Sequence, residues 1–271
     1  MGGIVELIGS TSLVVGGSQG IGLAIARKLA TEGSTVTIMA RRQDVVDAAV
    51  QEIKDSIGKS DGIYGLSGDV SNPADVDRVV AEAKRLMGKA PQVLINSAGV
   101  GNLYRLMSLP IEAWDEIFSI HSKGVFLTTQ SVARELIADK LPGAIVNITS
   151  LNWNNPTAGL AHYCAAKAAT TAFTQVAAIE LAEFGIRVNS VAPGIVVTPM
   201  VEPYLNDAMR EGYLTRTPLG RLGQPNDIAD VVASLCSIEC GWVTGASIPV
   251  DGGAHMMGLH NYADAFGLPK D

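Results

Sequence analysis

The sequence predicts an α/β fold built on a parallel sheet, and two observations carry that expectation. Short β-branched or apolar runs bounded by turn residues recur along the chain, and stretches of helical periodicity separate them. Strand, helix, strand in sequence implies parallel pairing, because only a crossover returns the chain in the same direction. Residues 12–15, 35–39, 63–66, 93–95 and 144–148 read as buried strands. Between the first four of them, 21–31, 45–57 and 73–87 have helical spacing, and Asn72-Pro73 supplies a cap followed by proline at the first helical position. The alternation continues with an Ala-rich helix over about 163–183 and a strand at 187–192 that Pro193-Gly194 breaks. An irregular segment containing Pro199, Pro203 and Pro218 follows, then a helix from 226 to about 237 and a last strand at 247–250. No linker, low-complexity tract or repeat interrupts the pattern, so residues 1–271 are expected to form one domain.

Composition excludes several function classes. Twenty basic against 27 acidic side chains give a net charge of −7, which disfavours binding to a phosphate backbone. No basic run offers a footprint for nucleic acid or anionic lipid, and no apolar stretch reaches the ~18 residues a membrane span requires. No basic segment followed by an apolar run reads as a leader, so the cytoplasm is the expected compartment. Cys164, Cys236 and Cys240 cannot all pair within one chain. Cys236 and Cys240 could share a helical face, but no His or carboxylate cluster completes a metal site, so they are expected to be packing residues.

The first strand runs into Gly16-Gly17-Ser18-Gln19-Gly20-Ile21-Gly22 and then a helix. Glycines there let the backbone approach a pyrophosphate, while the helix start presents unpaired N–H groups and the positive end of its dipole. The same loop could also be a tight strand-to-helix turn and nothing more. The second strand ends at Ala40, followed by Arg41 and Arg42. An acidic residue at that end would suit the ribose 2′-hydroxyl of NAD; guanidinium groups suit the 2′-phosphate of NADP, which is therefore favoured. Asp69 and Val70, after the third strand, stand where an adenine ring would lie. Asn96, Ser97, Ala98 and Gly99, after the fourth, stand beside the nicotinamide half.

The strongest chemical signal is Tyr163-Cys164-Ala165-Ala166-Lys167. A tyrosine and a lysine four apart at a helix start point the same way. A phenol titrates near ~10, and a neighbouring ammonium would lower that value towards the working range of an acid–base catalyst. Lys167 could also hydrogen-bond the nicotinamide ribose, and Ser150, just after the fifth strand, can place its hydroxyl beside the same carbonyl oxygen.

With these motifs in view, the chain resembles the short-chain dehydrogenase/reductase family, in its roughly 250-residue branch. The likeness runs from about Ser10 to Ala254 through GGSQGIG, GDV, NSAG, ITS, YCAAK, PGIVVTPM and PVDGG. It implies a Rossmann-like, doubly wound parallel sheet of about seven strands with helices on both faces, and a homo-oligomer, most often a tetramer. It implies Tyr163 as general acid in reduction, Ser150 polarising the substrate carbonyl, and Lys167 holding the ribose. Pro193, Gly194, Val196 and Thr198 match positions that contact the nicotinamide end. Four positions depart from the family pattern: Val15 replaces a threonine, Ser97 an asparagine, and Gln19 a basic residue frequent in NADP-using members. His121 replaces the asparagine that helps anchor a water linking the active-site lysine to solvent. It either substitutes in the proton relay or packs while its backbone carbonyl keeps that role.

The substrate side is expected from 100–104, 151–162 and 195–216, with Leu103, Trp153, Leu160 and Met200 as pocket residues; Trp153 either packs on a substrate ring or covers a loop. Apolar walls with a few polar groups suit a medium-sized, partly hydrophobic ketone. The tail, 255–271, carries Met256, Met257, Leu259, Tyr262 and Phe266 and is expected to dock over the pocket or across a subunit interface. The expected activity is an NADPH-dependent carbonyl reductase or secondary alcohol dehydrogenase. Alternatives are an NAD-dependent alcohol or sugar dehydrogenase and a nucleotide-binding protein without turnover.

Overall fold

Seven parallel strands form one sheet in the computed structural model, which describes residues 5–257 and 262–269. The strands are β1 (Thr11–Val15), β2 (Thr35–Ala40), β3 (Ile63–Ser67), β4 (Val93–Asn96), β5 (Gly143–Ile148), β6 (Ile186–Pro193) and β7 (Ser247–Val250). Every predicted strand falls inside an observed one. The helices are α1 (Gly20–Thr31), α2 (Gln43–Ile57), α3 (Pro73–Met87), α4 (Ile111–Phe118), α5 (Gly124–Asp139), α6 (Ala161–Leu181), α7 (Asp207–Leu214), α8 (Pro225–Cys236) and α9 (Tyr262–Ala265). Asn72 caps α3 as its position predicts, its side chain accepting from Ala74 N–H at 3.0 Å.

The strand order is β3-β2-β1-β4-β5-β6-β7, so the winding reverses between β1 and β4. A crevice at the carboxyl ends of the strands is expected at that point. Alternation along the strands sends side chains to two separate cores. Val14, Ile38, Ile95 and Val146 pack with α1, α2 and α8, while Leu13, Val15, Leu94 and Ile145 pack with α3, α5 and α6. Both faces are covered, which is why the strands read as nearly continuous apolar runs.

Two segments differ from the sequence expectation. Residues 111–139, which carry no clear element in the sequence rhythm, form α4, a π-helical turn at Ser119–Lys123, and α5. The buried face of α5 includes Thr128, Thr129 and Ser131, and these polar residues interrupt its apolar periodicity. The supposedly irregular segment after β6 contains α7, whose N-cap Asn206 accepts from Met209 N–H at 2.9 Å.

Those buried polar residues are joined into a chain. Thr128 Oγ1 donates to Asn96 Oδ1 at 2.7 Å, and Asn96 Nδ2 donates to Asn147 Oδ1 at 2.8 Å. Asn147 Nδ2 in turn donates to Thr174 Oγ1 at 2.8 Å. The chain ties α5 through β4 and β5 to α6 and fixes how the two helices sit on the sheet. Removing a middle member orphans buried polar groups on either side. Asn147→Ala is expected to destabilise the fold by about 1–3 kcal/mol, read as a lowered urea midpoint with unchanged m-value.

Candidate active site

A cleft of about 590 Å³ runs across the carboxyl ends of β1, β2, β4, β5 and β6. At its start Gly16 has φ +77°, and a Cβ there would stand 2.5 Å from Ala98 N. Only glycine allows β1 to press this closely on the end of β4. A Cβ on Gly22 would stand 2.1 Å from Gly16 O, so the first turn of α1 rests directly on the loop. Gly16 N–H donates to Met39 O at 2.8 Å, which continues the β1–β2 pairing into the start of the loop. The N-cap Gln19 makes no side-chain cap, and the first turn of α1 carries no acidic residue. The N–H donors of α1 therefore face the cleft without competition from their own side chains, an arrangement suited to an anion.

Further along, Arg41, Arg42, Asp69 and Val70 line the cleft, as do Ser18, Gly20 and Ile21. Asp69 Oδ1 accepts from Ser71 N–H at 2.8 Å and from Ser71 Oγ at 2.7 Å, which shapes the turn after β3. At the other end Ala98, Gly99, Pro193, Gly194, Val196 and Thr198 surround the catalytic candidates. Asn96 is a departure from the expectation. Its side chain is buried in the polar chain between the helices and does not line the cleft, because β4 alternation turns it into the sheet's packing layer. Met39, Ala40, Gly68 and Thr149 also line the cleft; only their strand-end positions could have signalled them.

Tyr163 and Lys167 lie one turn apart on α6. Lys167 Nζ donates to Ile148 O at 2.8 Å and stands 5.5 Å from the Tyr163 ring centre. Ser150 Oγ lies 3.0 Å from Asn152 Oδ1, and a hydrogen bond donated by its hydroxyl to the phenol oxygen lowers the Tyr163 pKa. Burial is the stronger influence and pushes that pKa up to about 12. Burial also pushes Lys167 down to about 7. The expectation that Lys167 draws the phenol towards neutrality is therefore not met in this structure: an ammonium stripped of water and facing no carboxylate is itself disfavoured.

His121 sits in the π-helical turn with 2% of its surface exposed. Its Nε2 lies 2.8 Å from Val100 O and 3.2 Å from Val100 N, which ties the ring to the Val100 backbone, and Nδ1 has no partner among the described residues. The ring meets Tyr163 edge-on at 5.3 Å, and its Cε1 lies 2.8 Å from where a Cβ on Gly99 would stand. Burial holds its pKa well below the usual histidine range, and the nearby Lys167 adds to this. The backbone carbonyl of His121 accepts from Thr170 Oγ1 at 2.8 Å, which anchors the π turn to the catalytic helix.

Beyond Ser150 and Tyr163 lies a second cavity of about 140 Å³. Leu103, Leu160 and Met200 line it as expected, together with Tyr204, Tyr213 and Tyr262. Trp153 does not line it: it ends a short 3-10 turn, and Leu151 and Asn152 of that turn face the cavity instead. Tyr213 falls in the expected stretch 195–216 and Tyr262 in the tail, but neither is singled out as a pocket residue in the sequence, because α7 and α9 are short and carry little periodicity. Leu259 of the tail lies outside the described residues. Cys164, Cys236 and Cys240 are free thiols, and no cluster that could hold a metal occurs among the described residues.

The chain is similar in sequence and fold to known proteins. The family model described as enoyl-(acyl carrier protein) reductase matches residues 15–255. The mouse protein (3R)-3-hydroxyacyl-CoA dehydrogenase is 35% identical over 260 residues, 93% of this chain and 98% of that one. A 3-oxoacyl-(acyl-carrier-protein) reductase of Staphylococcus aureus is 37% identical over 249 residues, 91% of this chain and 98% of that one. Among solved structures, a Mycobacterium marinum short-chain type dehydrogenase/reductase superposes with a TM-score of 0.86 at 31% identity, covering 92% of this chain and 96% of that one. A 3-ketoacyl-(acyl-carrier-protein) reductase from Brucella melitensis complexed with NADH gives 0.84 at 30% identity, covering 92% and 99%.

The buried lysine has a measurable consequence. Its folded pKa lies below its ordinary value of 10.5, so the penalty for burying it is absent above that pH, grows as pH falls, and is complete near pH 7. Lys167→Met is expected to melt higher relative to the wild-type chain at pH 7 than at pH 10, by on the order of several degrees in paired thermal melts.

Proposed function

The chain belongs to the short-chain dehydrogenase/reductase family, oxidoreductases of CH–OH and C=O groups, and from that premise we propose that it is an NADPH-dependent ketone reductase. The observation that supports this best is the continuity of one cleft from the uncapped start of α1, past Arg41 and Arg42, to Ser150, Tyr163 and Lys167. The close backbone approach at Gly16 and Gly22 fits a dinucleotide, whose pyrophosphate would lie on α1, adenine by Asp69 and Val70, and 2′-phosphate on Arg41 with Arg42. Ala98, Gly99, Pro193, Gly194, Val196 and Thr198 would hold the nicotinamide end.

When bound, the cofactor supplies the hydride. Tyr163, kept protonated by burial, donates its proton to the carbonyl oxygen in reduction, and Ser150 orients that oxygen. Lys167 is fixed by Ile148 O at the end of β5, where it would hold the ribose. We assign His121 to positioning: a neutral imidazole tied to Val100 O braces the Tyr163 ring. A second reading, NAD-dependent alcohol dehydrogenation, is favoured by Gln19 in place of a basic residue and by similarity to the NADH-complexed Brucella protein. We place the protein in the cytoplasm as a homotetramer. Among the described residues no helix is long and apolar enough to cross a membrane. Ile179 and Val176 of α6 and the fully exposed Trp242 offer apolar surface for subunit contacts.

Titration with NADPH and NADH separately, followed by turnover on a ketone panel, tests the proposal. Arg41→Ala is expected to weaken NADPH binding about 10- to 100-fold and leave NADH binding within about twofold. Tyr163→Phe should lower kcat by about 10²–10⁴. Tighter binding of NADH would move the second reading forward. For His121, the Asn variant is expected to lower kcat only several-fold and leave the pH profile of kcat in place. A shifted profile would instead make the imidazole part of the proton relay.

A further inference from the structure

The tail settles against its own chain. Tyr262 N–H donates to Thr157 Oγ1 at 3.4 Å, and the Tyr262 ring meets Tyr213 edge-on at 6.0 Å. Phe266 meets Tyr204 in the same way at 5.9 Å. Arg105 Nη2 pairs with Asp264 Oδ1 at 3.0 Å, and Arg105 Nε donates to Leu268 O at 2.8 Å. Ala263 is fully buried, and Leu268 Cδ1 comes within 3.5 Å of a Cβ position on Gly159. The wall that Tyr262 gives the second cavity is therefore fixed by the loop after β4, the segment before α6, and α7.

That cavity opens onto the cleft, with which it shares Ser150, Tyr163, Pro193, Gly194, Met200 and Val201, and Tyr213 and Tyr262 stand on its own lining. Its volume of about 140 Å³ is close to that of an apolar protein cavity of roughly 150 Å³ that takes a benzene molecule. Among the described residues no charged side chain lines it; its polar groups are neutral ones such as Asn102, Asn152 and the tyrosines. An acyl chain delivered on coenzyme A or a carrier protein is longer and comes on a phosphate-bearing arm that calls for cationic partners. Arg105, on the loop that walls the cavity, is already engaged by Asp264 and Leu268.

We infer that the substrate is a compact, uncharged ketone about the bulk of one six-membered ring, free rather than carrier-bound, and that Tyr262 sets the size limit. The inference rests on the ketone reductase reading above. It separates this chain from the relatives whose names specify acyl-CoA or acyl-carrier substrates.

The test compares kcat/KM for cyclohexanone, 2-decanone and acetoacetyl-CoA in the wild-type chain, Tyr262→Ala and Asp264→Ala, with NADPH binding and thermal melts as controls. The wild-type chain is expected to favour cyclohexanone about tenfold or more over both others. Tyr262→Ala should raise kcat/KM for 2-decanone about tenfold. Asp264→Ala, which loosens the tail from outside the cavity, should move the profile the same way and serves if Tyr262→Ala does not fold. Preference of the wild-type chain for 2-decanone or acetoacetyl-CoA overturns the inference while leaving the reductase reading standing. So does an unchanged size profile in a folded, NADPH-binding tail variant. Failure of the wild-type chain to oxidise NADPH or NADH with any carbonyl, despite binding them, overturns the reductase reading and the size inference with it.

Discussion

The site depends on backbone meeting backbone where the winding of the sheet reverses. Gly22 rests on the carbonyl of Gly16, and Gly16 rests on Ala98 at the end of β4. The next residue, Gly99, leaves room only for the edge of His121, and the His121 ring braces Tyr163. A continuous line of contact thus runs from the first turn of α1 to the Tyr163 phenol without an intervening flexible side chain. Close-packed contacts of this kind transmit displacement rather than absorb it. Positioning of the glycine loop and positioning of Tyr163 are one packing problem.

The second constraint is that polar groups do structural work in the core. Two asparagines at matching positions of β4 and β5 are hydrogen-bonded to each other and to threonines on the flanking helices. Each such bond contributes modestly, but an unmade one inside the sheet is expensive, so the arrangement tolerates only one register of α5 and α6. Thr170 continues the same logic by holding the carbonyl of the π turn, and that turn carries His121. Against this background Lys167 is a strongly disfavoured group of the site: its buried amine is hydrogen-bonded to a carbonyl and stands over the Tyr163 ring. Such local unfavourability is common where a side chain is retained for chemistry.

Much of this was legible in the sequence because the signals were local. Buried strands announce themselves as apolar runs between turn residues, and the glycine loop and the Tyr163–Lys167 spacing are short patterns with direct geometric meaning. Three features were not legible for identifiable reasons. The core face of α5 carries threonines and a serine whose partners lie on other elements, so its periodicity fails. Asn96 stands among cofactor-facing neighbours, and only the strand's alternation decides that it turns inward. Tyr213 and Tyr262 meet across the second cavity, a contact between distant segments that no local pattern encodes. Trp153, the conspicuous aromatic near Ser150, drew attention away from them.

The docking of the tail has a kinetic meaning. Arg105 meets Asp264 and Leu268 across 159 and 163 residues, so this wall of the cavity closes the longest loops described for the site. During synthesis the sheet and its cleft can assemble before the wall exists, and the wall is completed only once Tyr262, Asp264 and Leu268 have emerged. It is also held by few contacts compared with the strands, which makes it an opening unit of low free energy.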